Sequence, residues 1–347
     1  MAVGIPESMR ACQWTSAAGG LEHNLTINND AALPTGARYL GKDQTLVKVA
    51  WSALNPVDYK LPELPLVGRF AIKKPASPSM DFSGIVVDTR RNDLKPGQRV
   101  FGKLEPPQFG ALAEYAVVGS QGVVPVPENV HLKEAGCVGV AGLTAYQCIV
   151  PNLTKMDSEQ PKIFINGGSG GTGSFGIQIA KALGCYVVTS CSGANADLCK
   201  SIGADEVIDY KTQDIVQMLK RKGTQFDLIV DNVGSSALYW QAHHYLKPTG
   251  KVVAVGATPG LGVVFDMMKI FLWPASFGGG QRKYQFLMCA ADAAHYTHIG
   301  QMMRNGQIKP VIGGVYQLGE VPQAFQKLKA GGFQGKLVVQ VSTETTE

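Results

Sequence analysis

Histidine and cysteine are scarce in this 347-residue chain, with six of one and seven of the other. The cysteines stand at 12, 137, 148, 185, 191, 199 and 289, and no Cys-x-x-Cys pair occurs. An odd number at such spacing excludes a disulfide framework in a chain this long and suits a reducing compartment. The histidines, at 23, 131, 243, 244, 295 and 298, form no metal-ligand pattern. Charged residues are only 17% of the total, and no run of Lys or Arg accompanies the formal net charge of +5. A nucleic-acid footprint is therefore excluded, and the basic excess is mild help in attracting anions. Long apolar runs are absent too: Gly260 to Phe277 is broken by Asp266, Lys269 and Pro274. Met1 to Trp14 lacks the charged start and apolar run of a signal peptide, and Thr345-Thr346-Glu347 is no peroxisomal address. The expectation is a cytoplasmic chain with neither membrane nor nucleic acid as partner.

What is present is an ordinary globular balance, 45% hydrophobic, in a chain long enough for two domains at roughly 100–200 residues each. Its 41 glycines predict tight turns and places where backbone comes close to a ligand. The first third reads as β. Thr45 to Trp51 and Asp81 to Asp88 alternate like strands, and Pro96-Gly97 marks a turn. Arg99 to Gly102, Ala113 to Val118 and Gly122 to Pro127 read as further short strands. Lys133 to Val150 then reads as a helix. Beyond it, strand signals (Lys162 to Asn166, Cys185 to Ser190, Glu206 to Asp209, Phe226 to Asp231, Lys251 to Gly256) alternate with helix signals (Ser174 to Leu183, Asn195 to Ile202, Ile215 to Arg221, Ser236 to Tyr245). That order predicts an α/β fold, a doubly wound parallel sheet with right-handed crossovers. Gly313 to Leu318 and Lys336 to Gln340 are β-like again and are expected to return to the first unit.

The sharpest motif joins the strand signal ending at Asn166 to Gly167-Gly-Ser-Gly170-Gly171-Thr172-Gly173 and the helix signal from Ser174. Spaced glycines alone are weak, but between a strand and a helix they read as a dinucleotide cradle. A pyrophosphate needs N–H donors at a helix start, and side chains there block its approach. An NAD-binding fold carries an acidic residue at the end of the second strand to grip the ribose diol. Here that end is Thr189-Ser190-Cys191-Ser192-Gly193. Its small hydroxyls leave room for a 2′-phosphate, so NADPH is the expected cofactor. Tyr210 either flanks the adenosine or packs on the surface, and Lys200 or Lys211 is available as a countercharge.

These stretches, with Asn55-Pro-Val-Asp-Tyr-Lys60, Asp81-Phe-Ser-Gly84, Lys95 to Val100, Gly110 to Tyr115, Gly142 to Tyr146, Gly203 to Tyr210, Asp231 to Gly234 and Gly332 to Val338, carry a resemblance. The chain resembles the zinc-free branch of the medium-chain dehydrogenase/reductase superfamily, on its quinone oxidoreductase and enoyl reductase side. Cys191-Ser192 and Leu198-Cys199-Lys200-Ser201 look most like fungal and mitochondrial members, among them stand-alone enoyl reductases that serve polyketide synthases. The resemblance implies a GroES-like β-barrel domain over residues 1–130, completed by 307–347, and a Rossmann NADPH-binding domain over 131–306, with the nicotinamide in a cleft between them. It also implies that Thr144 contacts the nicotinamide or its ribose, and that Gly170 to Gly173 hold the pyrophosphate. Ser192 and Tyr210 fall to the adenosine end, and Asn232, Gly256, Phe277 and Lys336 to the remaining cofactor path.

In the zinc-dependent relatives, by the same resemblance, a Cys opens the stretch matching Asn55 to Asp58, and a Gly-His-Glu matches Ser79-Met80-Asp81. Here Asn55 and Met80 stand at those two ligand positions, and residues 90–120 contain no cysteine for a structural zinc, so no metal is expected. Without a Lewis acid a conjugated acceptor is the easier substrate, because its developing charge needs only a positioned donor and then a proton. Asn55 either donates its amide to that oxygen or forms a turn with Pro56. Tyr59 or Lys60 is the candidate acid, against the alternatives of a core tyrosine, a solvated lysine and protonation by water. The Met- and aromatic-rich stretch Phe265 to Pro274 either walls an apolar pocket, covers an oligomer surface or belongs to the core. The function expected is NADPH-dependent reduction of the activated C=C bond of a small apolar carbonyl compound, an enone or an enoyl thioester, carrier-bound where such an enzyme serves a polyketide synthase. An NADPH:quinone reductase and a non-catalytic NADPH-binding sensor or scaffold are the alternatives, and either a monomer or a homodimer is compatible.

Overall fold

The structure, a computed structural model, describes residues 5–64, 66–106, 109–153, 160–255, 268–270, 272–273 and 279–343. Among them the chain divides into two units, 1–143 with 290–347, and 144–289. In the first, β1 (Ser8–Gln13) and β2 (Thr26–Ala32) pair antiparallel. The main sheet begins with β3 (Thr45–Ala53), followed by helix α1 (Val57–Glu63), β4 (Asp81–Thr89), β5 (Arg99–Lys103), β6 (Tyr115–Val118) and β7 (Val123–Pro125). In β3, Val47 and Val49 enter the main core while Leu46, on the opposite face, packs with Met9, Ala31 and Tyr115. The strand is buried on both faces, with Lys48 its one partly exposed residue.

The expected helix over Lys133 to Val150 is two helices, α2 (Leu132–Ala135) and α3 (Ala141–Leu153). The break has a tertiary cause. A Cβ on Gly139 would lie 2.4 Å from Asp81 Oδ1 and 2.7 Å from the Gly102 carbonyl oxygen. The same Asp81 oxygen accepts the Val140 N–H at 2.7 Å. A carboxylate from β4 thus captures a backbone donor that a continuous helix would have used.

The second unit carries β8 (Lys162–Asn166), α4 (Gly171–Ala182), β9 (Tyr186–Cys191), α5 (Ala196–Ser201), β10 (Glu206–Asp209), α6 (Ile215–Lys222), β11 (Phe226–Asp231), α7 (Ser236–Trp240), β12 (Leu246–Ala254) and β13 (Lys283–Phe286). All adjacent strands run parallel, in the order β10-β9-β8-β11-β12-β13. This is a Rossmann sheet whose topological switch point lies between β8 and β11. The sixth strand is not visible in the sequence, because four half-exposed residues at a sheet edge carry no apolar run. The expected helix over Ser236 to Tyr245 stops at Trp240 and continues as a single 3-10 turn, Ala242–His244.

The chain then returns through α8 (Ala293–Arg304), β14 (Ile312–Gln317), α9 (Val321–Ala330) and β15 (Lys336–Gln340). The first unit's sheet is completed in the order β14-β15-β3-β4-β5-β7, with β6 also on β3. The unit boundaries fall at 143/144 and 289/290, not at 130/131 and 306/307. The reason is that α2 packs on β3, β4 and β5, and α8 packs on β7, so both stay with the β unit. No helix among the described residues is long and apolar enough to cross a membrane. Since the Gly139 contacts are with fixed backbone and a buried carboxylate, Gly139→Ala is expected to destabilise the fold by about 1–3 kcal/mol, read as a lowered midpoint in urea denaturation.

Candidate active site

Register builds a polar cluster within the first unit. Ala53, the last residue of β3, pairs with Asp81, the first of β4, and Asp81 pairs with Lys103, the last of β5. Val338 of β15 also pairs with Ala53. Asn55, Asp81 and Lys336 therefore meet at one end of the sheet, although Lys336 lies 281 residues beyond Asn55. Lys336 Nζ donates to Asn55 Oδ1 (2.6 Å), the Leu54 carbonyl (2.9 Å) and Asp81 Oδ2 (3.2 Å). The Asn55 N–H donates to Asp58 Oδ2 at 2.7 Å, and Asn55 Nδ2 donates to the Ala53 carbonyl at 3.3 Å. All four side chains are buried, Asp58 and Asp81 completely.

The cluster sets one ammonium against two carboxyls. Burial raises both carboxyls above the ordinary range. Asp81 is held down in part by Lys336 and the Asn55 amide. Asp58, further penalised by the charge of Asp81, is pushed up to about 8, and its Oδ1 has no partner. A pair of this kind shares its protons, and the repulsion from Asp81 falls on Asp58, the carboxyl to which Lys336 does not donate. Lys336, expected along the cofactor path, is thus placed inside the β unit with its three donors engaged.

The two candidate acids differ. The Tyr59 ring packs against the core and lies under the Lys329 ammonium, 5.1 Å from centroid to nitrogen, with Lys329 also bound to Glu22 and Glu63. Burial raises the Tyr59 phenol and lowers the Lys60 ammonium. Met80 is buried beside Asp81. Among the described residues no group of three or more His, Cys, Asp or Glu is arranged to hold a metal ion. Burial pushes Cys12 and Cys137 up to about 12, which makes them poor nucleophiles.

The second unit carries a site of its own at the switch point of the parallel sheet. Gly167 takes φ +80°, and Gly170 forms the N-cap of α4 with no side-chain cap bond and no acidic residue in the first turn. A Cβ on Gly168 would lie 2.0 Å from Thr189 Oγ1, and one on Gly173 would lie 2.2 Å from the Gly167 carbonyl oxygen. At Gly170 the nearest atom would be 3.6 Å away, so the absent side chain there clears space rather than avoiding a clash. Gly171 and Thr172 open the helix, half-exposed. Ser190 is buried behind the loop: its hydroxyl accepts the Gly167 N–H (3.0 Å) and donates to Asn166 Oδ1 (2.6 Å). Asn166 Nδ2 donates to Asp231 Oδ1 (2.8 Å), and Asp231 in turn accepts the N–H groups of Val233, Gly234 and Ser235. Asn232 Nδ2 donates to the Asn166 carbonyl (3.0 Å), while its buried Oδ1 has no partner.

An open glycine at an uncapped helix start and an orphaned acceptor beside it fit a dinucleotide, with the α4 N-terminus toward its phosphates. Ser192 and Tyr210 sit at the ends of β9 and β10, half-buried and exposed, and Thr144 is buried in the first turn of α3. Sequence reasoning missed Asp209. A Cβ on Gly193 would lie 2.7 Å from Asp209 Oδ2, so the third strand delivers a carboxylate to a turn whose own sequence has none. Gly256 and Phe277 lie outside the described residues. Of Phe265 to Pro274, Met268, Leu272 and Trp273 are exposed and Ile270 is in the core of the second unit. The remaining residues of that stretch, apart from Lys269, lie outside the described residues.

A Rossmann unit with a phosphate-cradling turn, joined in one chain to a GroES-like sheet, defines a nicotinamide-dependent oxidoreductase. The alcohol dehydrogenase GroES-like domain model matches residues 41–128, and the zinc-binding dehydrogenase model matches residues 202–339. The chain is 46% identical over 363 residues to the trans-enoyl reductase pgmF of Aspergillus terreus, covering 100% of each chain. It is 30% identical over 339 residues to a chloroplastic quinone-oxidoreductase of Triphysaria versicolor, covering 96% of this chain and 98% of that one. The solved quinone oxidoreductase of Coxiella burnetii superposes with a TM-score of 0.80 at 26% identity, covering 96% of this chain and 100% of that one. The chain belongs to the medium-chain dehydrogenase/reductase superfamily, on its enoyl reductase and quinone oxidoreductase branch.

The raised Asp58 carboxyl carries a pH signature. A carboxyl that holds its proton more tightly when folded stabilises the fold at low pH. That contribution declines as pH rises from the ordinary carboxylate range and is gone above about 8. Asp58→Asn mimics the protonated acid, so its unfolding free energy relative to wild type is expected to rise through this window and level off above it, as measured by urea denaturation at pH 5, 7 and 9.

Proposed function

We propose that this chain is an NADPH-dependent reductase of activated C=C bonds that works without zinc on a small apolar enone or enoyl thioester. One observation carries the reading: Lys336 Nζ lies 2.6 Å from Asn55 Oδ1, so an ammonium already occupies the surroundings of a position that is a metal ligand in zinc-dependent relatives. A divalent ion there meets a fixed like charge in a buried site, where such repulsion is poorly screened. Met80, at the other ligand position, offers only a thioether. The 46% identity to a trans-enoyl reductase supports the C=C assignment.

When bound, NADPH supplies the hydride. Addition at the β-carbon sends the C=C electron pair onto the carbonyl oxygen, and the resulting enolate takes a proton at the α-carbon. Asn55 Nδ2 is the donor to that oxygen in this reading, and such a donor acts by being placed before the charge develops. Lys60 suits the proton transfer better than Tyr59. Its ammonium is lowered by burial and so gives up a proton more readily, whereas the Tyr59 phenol is raised and its ring is engaged by Lys329. The purified chain is expected to oxidise NADPH with a crotonyl thioester faster than with a p-quinone, and to keep that rate after dialysis against a chelator. Loss of rate that stoichiometric zinc restores overturns the zinc-free reading. Turnover with the quinone alone points to a quinone reductase, and NADPH binding without turnover of either acceptor points to a sensor.

The preference for NADPH rests on Ser192 at a turn without its own carboxylate. Asp209 opposes it electrostatically, although the Lys211 N–H and the Thr212 hydroxyl occupy its oxygens at 3.0 and 3.2 Å. Asp209→Asn is therefore expected to tighten NADPH binding several-fold and leave NADH binding unchanged, by fluorescence titration. A loss of NADH affinity in this variant instead marks Asp209 as a ribose ligand and NADH as the cofactor.

A further inference from the structure

Lys336 makes its shortest bond to a neutral amide, 2.6 Å to Asn55 Oδ1, and not to the carboxylate of Asp81 at 3.2 Å. Both bonds are charge-assisted through the ammonium, so neutralising Asp81 does not by itself explain why the amide oxygen lies nearer. An ammonium has three donors and no acceptor, so the amide atom facing it must be the oxygen. Charge thereby sets an orientation that an amide otherwise chooses by its surroundings. Nδ2 is left as the donor end, and its bond to the Ala53 carbonyl is long, at 3.3 Å. The backbone of the same residue is held by the 2.7 Å bond to Asp58 Oδ2. The amide therefore cannot flip without leaving a buried ammonium donor unpaired, at a cost well above thermal energy. Density drawn through Oδ1 toward Lys336 also strengthens the amide N–H as a donor.

We propose that Lys336 is a positioning residue for the reduction, holding the Asn55 amide with its nitrogen presented to the acceptor oxygen. The proposal rests on the reading of Asn55 as that oxygen's donor. A flipped amide presents lone pairs to the developing negative charge, and the attraction becomes repulsion.

The test uses the full chain with NADPH and crotonyl-N-acetylcysteamine. Lys336→Met is combined with Asp81→Asn, because either change alone leaves an unpaired buried charge. The double variant is expected to bind NADPH within about twofold of wild type by fluorescence, while kcat falls about 10–100-fold and KM for the thioester changes less. Lys336→Arg keeps the charge and donors and is expected to lose less. Asn55→Ala is expected to lower kcat comparably, and adding it to the Lys336 variants to cause no further loss. The proposal is overturned if the double variant turns over within about twofold of wild type, or if its loss multiplies with that of Asn55→Ala. Should the double variant not fold, Lys336→Arg carries the same cycle: a loss that persists in full without the Asn55 amide overturns the proposal. Full turnover by Asn55→Ala, or none by wild type, fails the underlying reading and the proposal with it.

Discussion

Three acceptors converge on one buried ammonium, and the end of the β unit is organised around that fact. Lys336 Nζ joins the start of β15, the turn after β3 and the first residue of β4 through Leu54, Asn55 and Asp81. Taking a lysine and two carboxyls out of water costs several kcal/mol per ion unless each finds compensation. Here that compensation is partial: Asp58 keeps an unpartnered oxygen and is driven toward its neutral form. Hydrophobic residues of similar size would hold the same strands together at lower cost. Retention of an ionic cluster where apolar packing would serve is better explained by the placement of a polar side chain, and the side chain so placed is Asn55.

The parallel sheet follows a similar rule at the carboxyl ends of its strands. Ser190, Asn166 and Asp231 come from three adjacent strands, β9, β8 and β11, and form one hydrogen-bonded line across their carboxyl ends. Both turns beside the cofactor cradle hang from it: Gly167 is held by Ser190, and Val233 to Ser235 by Asp231. The glycine turn can therefore dispense with side chains of its own. Its position is set from behind, which leaves its outer surface clear for phosphate.

Much of this was legible in the sequence, and the rest fails to be for particular reasons. Glu206–Asp209, Phe226–Asp231 and Lys336–Gln340 are strands with the limits that their apolar runs suggest, and the glycine turn announces itself by spacing and by its neighbours. Each of these signals is local. The break at Gly136 to Val140 is not, because it depends on Asp81 arriving from β4. Asp209 has no signal at the end of the second strand, since only pairing of β10 with β9 brings it to Gly193. Ser190, one of the small hydroxyls at the end of the second strand, lies behind the loop with its hydroxyl engaged, a placement that no local pattern reveals. Lys336 and Asn55 are the extreme case, as no local pattern relates residues so far apart.

Asp81 links these observations. One oxygen faces Lys336 and the other accepts the Val140 N–H, one residue before α3 begins. Thr144 lies in the first turn of that helix. A single carboxylate therefore fixes both the cation that orients Asn55 and the backbone that leads to Thr144. It also sits at the positive end of the α3 dipole, where negative charge is favoured. The Lys336 contact favours its ionised form, and the repulsion between the two carboxyls then falls on Asp58. Both aspartates stand at a helix start, Asp58 in the first turn of α1 and Asp81 before α3, so what separates two groups of the same chemistry is the ammonium: Lys336 Nζ donates to Asp81, and the charge of Asp81 then raises Asp58.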